Sequence, residues 1–372
     1  MTPLAGAPAG PDGRSDGSVG RSLGSLSDLS DVRVLVVVPV LNEVGHIAAL
    51  LESLLASASA FRTYRVVVVD GGSTDGTRNV VAALAASNAR VSCIDNPLRF
   101  QSAGVNLAVE QRGAEADILI RCDAHASYPG DFCVRLVETL VRRGADSVVV
   151  PMDTVGTTPL QRAIAWVSNS AVGTGGAAHR GGHRSGFVDH GHHAACRVDT
   201  FCRVGGYDAT FSHNEDAEFD CRQRRMGARI WLDATTRLSY YPRATWRALA
   251  AQYFRYGAGR ARTLKRHPQS LRLRQLLVPL NFVACVGGLA FGPLCRWALA
   301  WPTAYLTLLL LTSVTMASQH RSADGLLAGP AAGAMHVAWA CGLIGGLLRS
   351  SDHVWAPQTA TPLRPAFPGS HP

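Results

Sequence analysis

Between Val32 and Asp123 the chain alternates short apolar runs with helix-periodic stretches, and each run closes on polar residues. Residues 32–39 form a continuous apolar run, too short for a helix, and read as a strand buried on both faces. Residues 42–57 carry Ile47, Leu50, Leu51, Leu54 and Leu55 at helical spacing. The same pair of signals recurs: a strand over 64–69 and a helix ending near Ala86, then a strand over 90–94 and a helix over 102–111. A fourth strand covers 117–121. This alternation predicts an α/β fold, doubly wound around a mostly parallel sheet. Ligands of such sheets bind outside the carboxyl ends of the strands. There the sequence places Pro39, Asn42 and Glu43 after the first strand and Asp70 after the second. Asn96 follows the third, and Asp123 and His125 follow the fourth.

The nucleotide-binding motifs with the best-known spacings are absent. No GxGxxG follows the first strand, and no GK[ST] occurs anywhere. Asp70-Gly-Gly-Ser-Thr-Asp-Gly puts a carboxylate at a strand end, then glycines, then a helix start. It reads either as a plain turn with Ser73 or Thr74 capping, or as a carboxylate accepting hydrogen bonds from a nucleobase. Asp123 and His125 are two residues apart, so on an extended segment they point the same way and can share a cation. A cation bridging two phosphates needs few protein ligands, because phosphate oxygens fill the rest. The plainer alternative is an Asp that caps the turn around Pro129-Gly130-Asp131.

Downstream, four carboxylates crowd into Asn214-Glu215-Asp216-Ala217-Glu218-Phe219-Asp220 after a Gly205-Gly206 turn. A helix over 215–226 puts Asp216, Phe219 and Asp220 on one face, with Asn214 as its cap. Residues 172–197 are rich in glycine and histidine, including His179, His183, His190, His192 and His193. Their spacing fits no zinc pattern. The stretch reads as a mobile, glycine-hinged loop. Ile164 and Trp166 read as core.

The net charge is +9, with pI near 9.4, which calls for an anionic partner: a nucleotide, a lipid surface or a nucleic acid. The basic residues concentrate between Arg243 and Arg274, directly before three apolar runs at 276–294, 297–317 and 326–348. Each run reaches the ~20 residues a bilayer crossing needs. Basic residues abutting apolar spans argue for membrane lipid and against nucleic acid. Pro279, Gly287, Gly288 and Pro293 mark the first run as a candidate re-entrant segment. The helix-periodic stretch 243–267 either lies on the membrane surface or packs on the domain before it. The nine cysteines form no CxxC pair and read as free thiols. Residues 1–31, rich in Gly, Ser, Pro and Asp, read as a disordered tail without a secretory signal, as do residues 351–372 at the other end. The expected plan is a catalytic domain over 32–274, in the cytoplasm, and about three membrane segments over 275–350. That makes a multi-pass protein of the inner or plasma membrane.

Taken in order, Pro39-Val-Leu-Asn42-Glu43, Asp70-Gly-Gly-Ser-Thr-Asp75-Gly-Thr, Asp123-Ala-His125, Asn214-Glu215-Asp216 and Gln252-Tyr-Phe-Arg255-Tyr256 resemble the motif set of the family 2 inverting glycosyltransferases of GT-A fold. Arg121-Cys-Asp-Ala-His-Ala-Ser-Tyr-Pro129 and Phe187-Val-Asp-His190 are similar to the bacterial exopolysaccharide branch of that family, as in succinoglycan assembly. The resemblance implies that Pro39, Asn42, Glu43, Asp70 and Asn96 hold a UDP-sugar donor, together with Asp123 and a divalent cation, Mg²⁺ or Mn²⁺. His125 stands where the family's second metal-binding Asp usually is. Asp216 matches the proposed base. Asp189, His190, Asn214, Glu215, Gln252 and Arg255 would line the acceptor or pyrophosphate region, and Tyr256 replaces the family's Trp. The implied reaction moves a hexose, glucose above all, to a polyprenyl-pyrophosphate-linked saccharide. The rival readings are a processive polysaccharide synthase, a nucleotidyltransferase and a non-catalytic membrane scaffold.

Overall fold

The structure is a computed structural model that describes residues 28–175 and 184–349. The two tails and the histidines at 179 and 183 lie outside the described residues. The first half follows the predicted alternation: β1 (Arg33–Val40), α1 (Ile47–Leu55), β2 (Thr63–Asp70), α2 (Thr77–Ser87), β3 (Val91–Asp95), α3 (Gln101–Arg112) and β4 (Ile118–Arg121). Then come β5 (Ala126–Ser127), α4 (Phe132–Arg143), β6 (Ser147–Val150), β7 (Met152–Thr154), α5 (Pro159–Ser168) and α6 (Ala171–Thr174). This part of the chain closes with β8 (Gly186–Phe187), β9 (His192–Arg197), α7 (Val198–Val204), α8 (Glu215–Arg225), β10 (Ile230–Leu232), β11 (Leu238–Tyr240) and α9 (Trp246–Arg266).

The main sheet has the order β3-β2-β1-β4-β9-β6-β10-β8. β1, β2, β3 and β4 run parallel, and so do β6 and β10, while β9 and β8 are antiparallel to their neighbours. A small sheet, β5-β11-β7, stands beside it. The period of two in β1 explains why the sheet is covered on both sides. Val34, Val36 and Val38 pack with Ile47, Leu50, Leu51 and Leu54 of α1. Leu35 and Val37 pack with Val105 and Val109 of α3 and Phe201 of α7 on the other face. Each such side chain, fully buried, contributes roughly 1.5–3 kcal/mol.

Two expectations shift and one alternative is decided. The first helix starts at Ile47 rather than 42, because Asn42 adopts a left-handed backbone (φ 58°) that ends the strand in a turn. Part of the His-rich stretch is not a loop: His192 and His193 open β9, a central strand. Of the two readings of 243–267, α9 packs on the domain before it, with Leu249 against Ile164 and Val167 and Gly259 against His213. Its Gln252, Gly257, Gly259, Arg260, Ala261 and Thr263 are buried. The nine cysteines are free thiols, as expected.

Beyond α9 lie α10 (Leu273–Phe291), α11 (Ala300–His320) and α12 (Ala328–Leu348). Together with short 3-10 turns ahead of α11 and α12, they give three helices long and apolar enough to cross a bilayer. Pro279 falls in the second turn of α10, and the helix runs on through it without a break. Ile164 is buried as expected, while Trp166 stacks on His320 with ring centroids 4.1 Å apart.

Candidate active site

The strand ends form a shelf. The Asn42 N–H donates to Ser73 Oγ at 2.9 Å, and the Thr74 N–H donates to Asn42 Oδ1 at 2.8 Å. The Glu43 N–H reaches Thr77 Oγ1 at 2.9 Å, and the Val44 N–H reaches Asp75 Oδ2 at 3.0 Å. The loops after β1 and β2 are thereby stitched together. Asp70 is buried and accepts from the Ser73 hydroxyl at 2.5 Å, from the N–H groups of Gly72 and Ser73, and from Arg78 Nη1 at 3.1 Å. Its carboxylate holds the turn. Asp75, rather than Ser73 or Thr74, accepts from the Thr77 N–H at the start of α2. Asn96 is likewise committed, donating to the Phe100 carbonyl at 2.8 Å.

β4 delivers the centre. Its last residue, Arg121, is buried and makes three ion pairs. Nη1 meets Asp216 Oδ1 at 2.7 Å, and Nη2 meets Glu215 Oε1 at 3.0 Å and Asp123 Oδ1 at 3.5 Å. Its guanidinium also lies 5.5 Å from the Tyr207 ring centroid. Asp123 takes a further hydrogen bond from the Gln101 amide, and its own N–H donates to Tyr128 Oη at 2.7 Å. β9 adds His192, whose ring stands between the two acids: Nε2 is 3.7 Å from Asp123 Oδ2 and Nδ1 is 3.6 Å from Asp216 Oδ2.

α8 supplies Glu215 and Asp216 in its first turn, and its shared face looks at β9 as its periodicity predicts. Phe219 packs against His193 and Tyr207, and Asp220 takes His193 Nε2 at 2.5 Å and His190 Nδ1 at 2.6 Å. Asn214 does not cap in the expected way. It sits in the left-handed region (φ 70°) and its side chain makes no cap hydrogen bond. A capping side chain needs an extended backbone to reach the N–H groups of the first turn. Instead α9 fixes the approach to α8. Gly259 lets α9 touch the His213 carbonyl, where a Cβ would collide. Arg262 donates to the Thr210 carbonyl at 2.8 Å, and Arg266 pairs with Asp208.

Electrostatics separate the two neighbouring acids. Burial pushes the Asp216 carboxyl up, but Arg121, His192 and His193 outweigh it and hold it well below the usual carboxylate range. Burial prevails at Glu215 and raises it, against the pull of Arg121. His213 is driven down to about 4 by burial and then by Arg255 and Arg243, which marks a cationic rim on this side of the site.

On the far side of α8, Glu218 is buried under Arg222 (2.7 Å) and His267 (3.1 Å). Burial raises its carboxyl, but these two partners bring it down to about 2 from an ordinary 4.5. A depressed carboxyl stabilises the fold above its unfolded value and loses that contribution as pH falls through the folded one. Glu218→Gln is therefore expected to lower the melting temperature at pH 7. The gap from the parent should close as pH falls from about 4.5 towards 2, read by thermal melts across pH.

The profile described as Glycosyl transferase family 2 matches residues 35–203. The chain is 46% identical over 325 residues to "Succinoglycan biosynthesis protein ExoA" of Rhizobium meliloti, covering 86% of this chain and 96% of that one. It belongs to glycosyl transferase family 2. A second relative, "Undecaprenyl-phosphate 4-deoxy-4-formamido-L-arabinose transferase" of Aeromonas hydrophila, is 29% identical over 146 residues, 38% of this chain and 42% of that one. Among solved structures, the mannosyltransferase PcManGT from Pyrobaculum calidifontis, in complex with GDP-Man and Mn²⁺, superposes with a TM-score of 0.53 at 20% identity. The match covers 87% of this chain and 90% of that one. The protein is thus a glycosyltransferase, and its fold is GT-A.

In this family 2 glycosyltransferase Glu43, His125 and Gln252 are linked through Tyr240, while Asp189 lies by the last turn of α8. Glu43 Oε1 lies 3.6 Å from His125 Nδ1, and His125 meets Tyr240 edge-on. Gln252 donates to the hydroxyls of Tyr240 (2.7 Å) and Tyr256 (2.9 Å). Asp189 is exposed and pairs with Arg272 (2.5 Å) and Arg224 (3.4 Å). Among the described residues no cluster of three or more His, Cys, Asp or Glu forms a cage for a metal. One hard carboxylate oxygen at Asp123 fits a cation whose other positions are filled by phosphate. His125, two residues on, lies beside the Glu43 carboxylate, and Glu43 and Asp123 raise its pKa above the ordinary value against the opposing effect of burial. Arg121 carries no role in the motif set, though it ends the apolar strand. A charge closing the apolar run Ile118-Leu119-Ile120 was the available signal. His192 had no local signal, because its strand is hidden among glycines and histidines.

Proposed function

We propose that this glycosyltransferase moves one hexose, glucose above all, from a UDP-sugar to a lipid-linked saccharide in exopolysaccharide assembly, with inversion. It does so at the cytoplasmic face of a bacterial inner membrane. The observation that carries this reading is the placement of Asp123 and Asp216 on either side of one imidazole and one buried guanidinium at the carboxyl edge of the sheet. The named relative in succinoglycan biosynthesis supports the pathway, and the apolar helices support an acceptor met at the bilayer.

The shelf of residues 41–44 and 70–77 receives uracil and ribose, with Asp70 shaping the turn beneath them. A divalent cation held at Asp123, when bound, neutralises charge on the departing diphosphate. Arg255 and Arg243 supply further positive charge on the rim. Asp216 accepts the proton of the acceptor hydroxyl as its oxygen bonds to the anomeric carbon. The bond to the diphosphate oxygen breaks on the opposite face, and the diphosphate leaves with the electron pair. Because Arg121 keeps Asp216 ionised, it is always ready to accept. It is also a weak base, so it takes the proton late, once the bonding oxygen has become acidic. One base, without a carboxylate nucleophile, fits a single displacement.

The test is a panel of UDP- and GDP-sugars given to membranes carrying the protein and a lipid-linked acceptor, read by mass spectrometry. One hexose from a UDP donor is expected, abolished by chelation and by Asp123→Ala. A ladder of additions would favour a processive synthase, and no addition from any donor would favour a scaffold.

A further inference from the structure

Length and hydropathy qualify three helices as spans, but the way α12 sits on the catalytic domain sets it apart. α12 runs beside α9, in parallel, for most of the length of both. Near its start Ala331, Ala332 and Met335 share a buried cluster with Leu249 of α9 and with Ile164 and Val167 of α5. At mid-length the backbones touch: a Cβ on Gly257 would strike the Trp339 carbonyl, and one on Gly342 would strike the Phe254 carbonyl. Gly346 faces Ala258 and Ala261. At the end Lys265 Nζ donates to the Arg349 carbonyl at 2.5 Å. Two more ties bind the near end. Arg162 pairs with Asp324, just ahead of α12, at 2.6 Å, and His336 Nε2 lies 2.8 Å from the Val172 carbonyl.

Both ends of α12 are therefore held by the catalytic domain. A helix of 21 residues is ~31 Å long, about the thickness of the hydrocarbon core. If α12 crossed, α9 would have to cross beside it, carrying Arg247, Arg255, Arg260, Arg262, Lys265 and Arg266. Charges at the bilayer centre are among the costliest groups to place there, and two of these, Arg266 and Arg262, are tied to Asp208 and Thr210 of the catalytic domain.

We propose that α12 lies along the membrane surface, as a platform between the catalytic domain and the lipid, and does not cross. α10 and α11 carry the apolar surface that enters the bilayer, with Leu277, Leu280, Leu289, Leu306 and Leu310 exposed. α11 returns the chain to the catalytic side, where His320 stacks on Trp166. Arg321 before α12 and Arg349 after it put positive charge at both ends, the pattern of segments kept in the cytoplasm. The inference rests on the membrane reading above and predicts that the carboxyl terminus shares the side of the catalytic domain.

The test fuses green fluorescent protein or alkaline phosphatase to the carboxyl terminus of the full chain in bacterial cells, beside amino-terminal fusions that report the side of the catalytic domain. The expected result is membrane-bound protein with both termini fluorescent and both phosphatase fusions inactive. A carboxyl-terminal phosphatase that is active, with the matching fluorescent fusion dark, would overturn the platform and restore a third span. Recovery of the full chain in the soluble fraction would overturn the membrane reading and the platform with it.

Discussion

Replacing Asp216 with Asn is expected to lower sugar transfer by roughly 10²–10⁴-fold, the usual contribution of a positioned base, while donor binding changes little. The substitution keeps the shape and one acceptor oxygen, so Arg121 Nη1, at 2.7 Å, retains a partner. It removes the charge that takes the proton. Asp216 stands in the first turn of α8, away from the loops after β1 and β2 that form the proposed donor shelf. Donor titration by calorimetry therefore separates the two roles from turnover. A variant with weak donor binding and near-normal turnover at saturation would assign Asp216 to the donor instead.

Arg121→Gln is expected to destabilise the protein by about 3–5 kcal/mol, the range for removing one partner of a buried ion pair. Three carboxylates, on Asp123, Glu215 and Asp216, converge on this one side chain, which is 6% exposed. Without it they repel one another in a site shielded from water. The sign of the pH dependence follows. Asp216 is depressed in the folded protein, so its contribution is present above the ordinary carboxylate value and lost as pH falls through the folded one. The variant loses that contribution, so its deficit is largest near pH 7 and shrinks towards the acid range. Denaturant melts at several pH values measure this. Arg121→Lys keeps the charge but not the fork that meets two carboxylates at once, and it should fall between parent and Gln variant.

The parallel half of the sheet was legible because its signals are local. Each apolar run is covered on both faces, and each helix carries its own periodicity. The strand ends are legible for the same reason, Asp123 after β4 among them, and Asp216 is legible from the periodicity of α8. What was hidden depends on partners far apart in the chain. β9 enters the sheet antiparallel between β4 and β6, and its pattern, His192-His193-Ala194-Ala195, lacks the β-branched residues that announce a strand. The ties of Asp70 and Asn96 to their own loops are hidden too, because a polar residue at a strand end looks the same in sequence whether or not it also orders its turn. Asn214 looked like a cap by residue type. Only the backbone, bent into the left-handed region where α9 presses on it, shows otherwise.

The central claim is a single displacement driven by Asp216 at the edge that also holds Asp123. The most direct measurement is the anomeric configuration of the new linkage. It uses purified protein in vesicles with a lipid-linked acceptor and an isotopically labelled UDP-hexose, read by nuclear magnetic resonance. The account predicts one added sugar with the configuration opposite to that of the donor, formed roughly 10²–10⁴-fold more slowly by Asp216→Asn. A product that keeps the donor's configuration, or one formed equally well by Asp216→Asn, would contradict it.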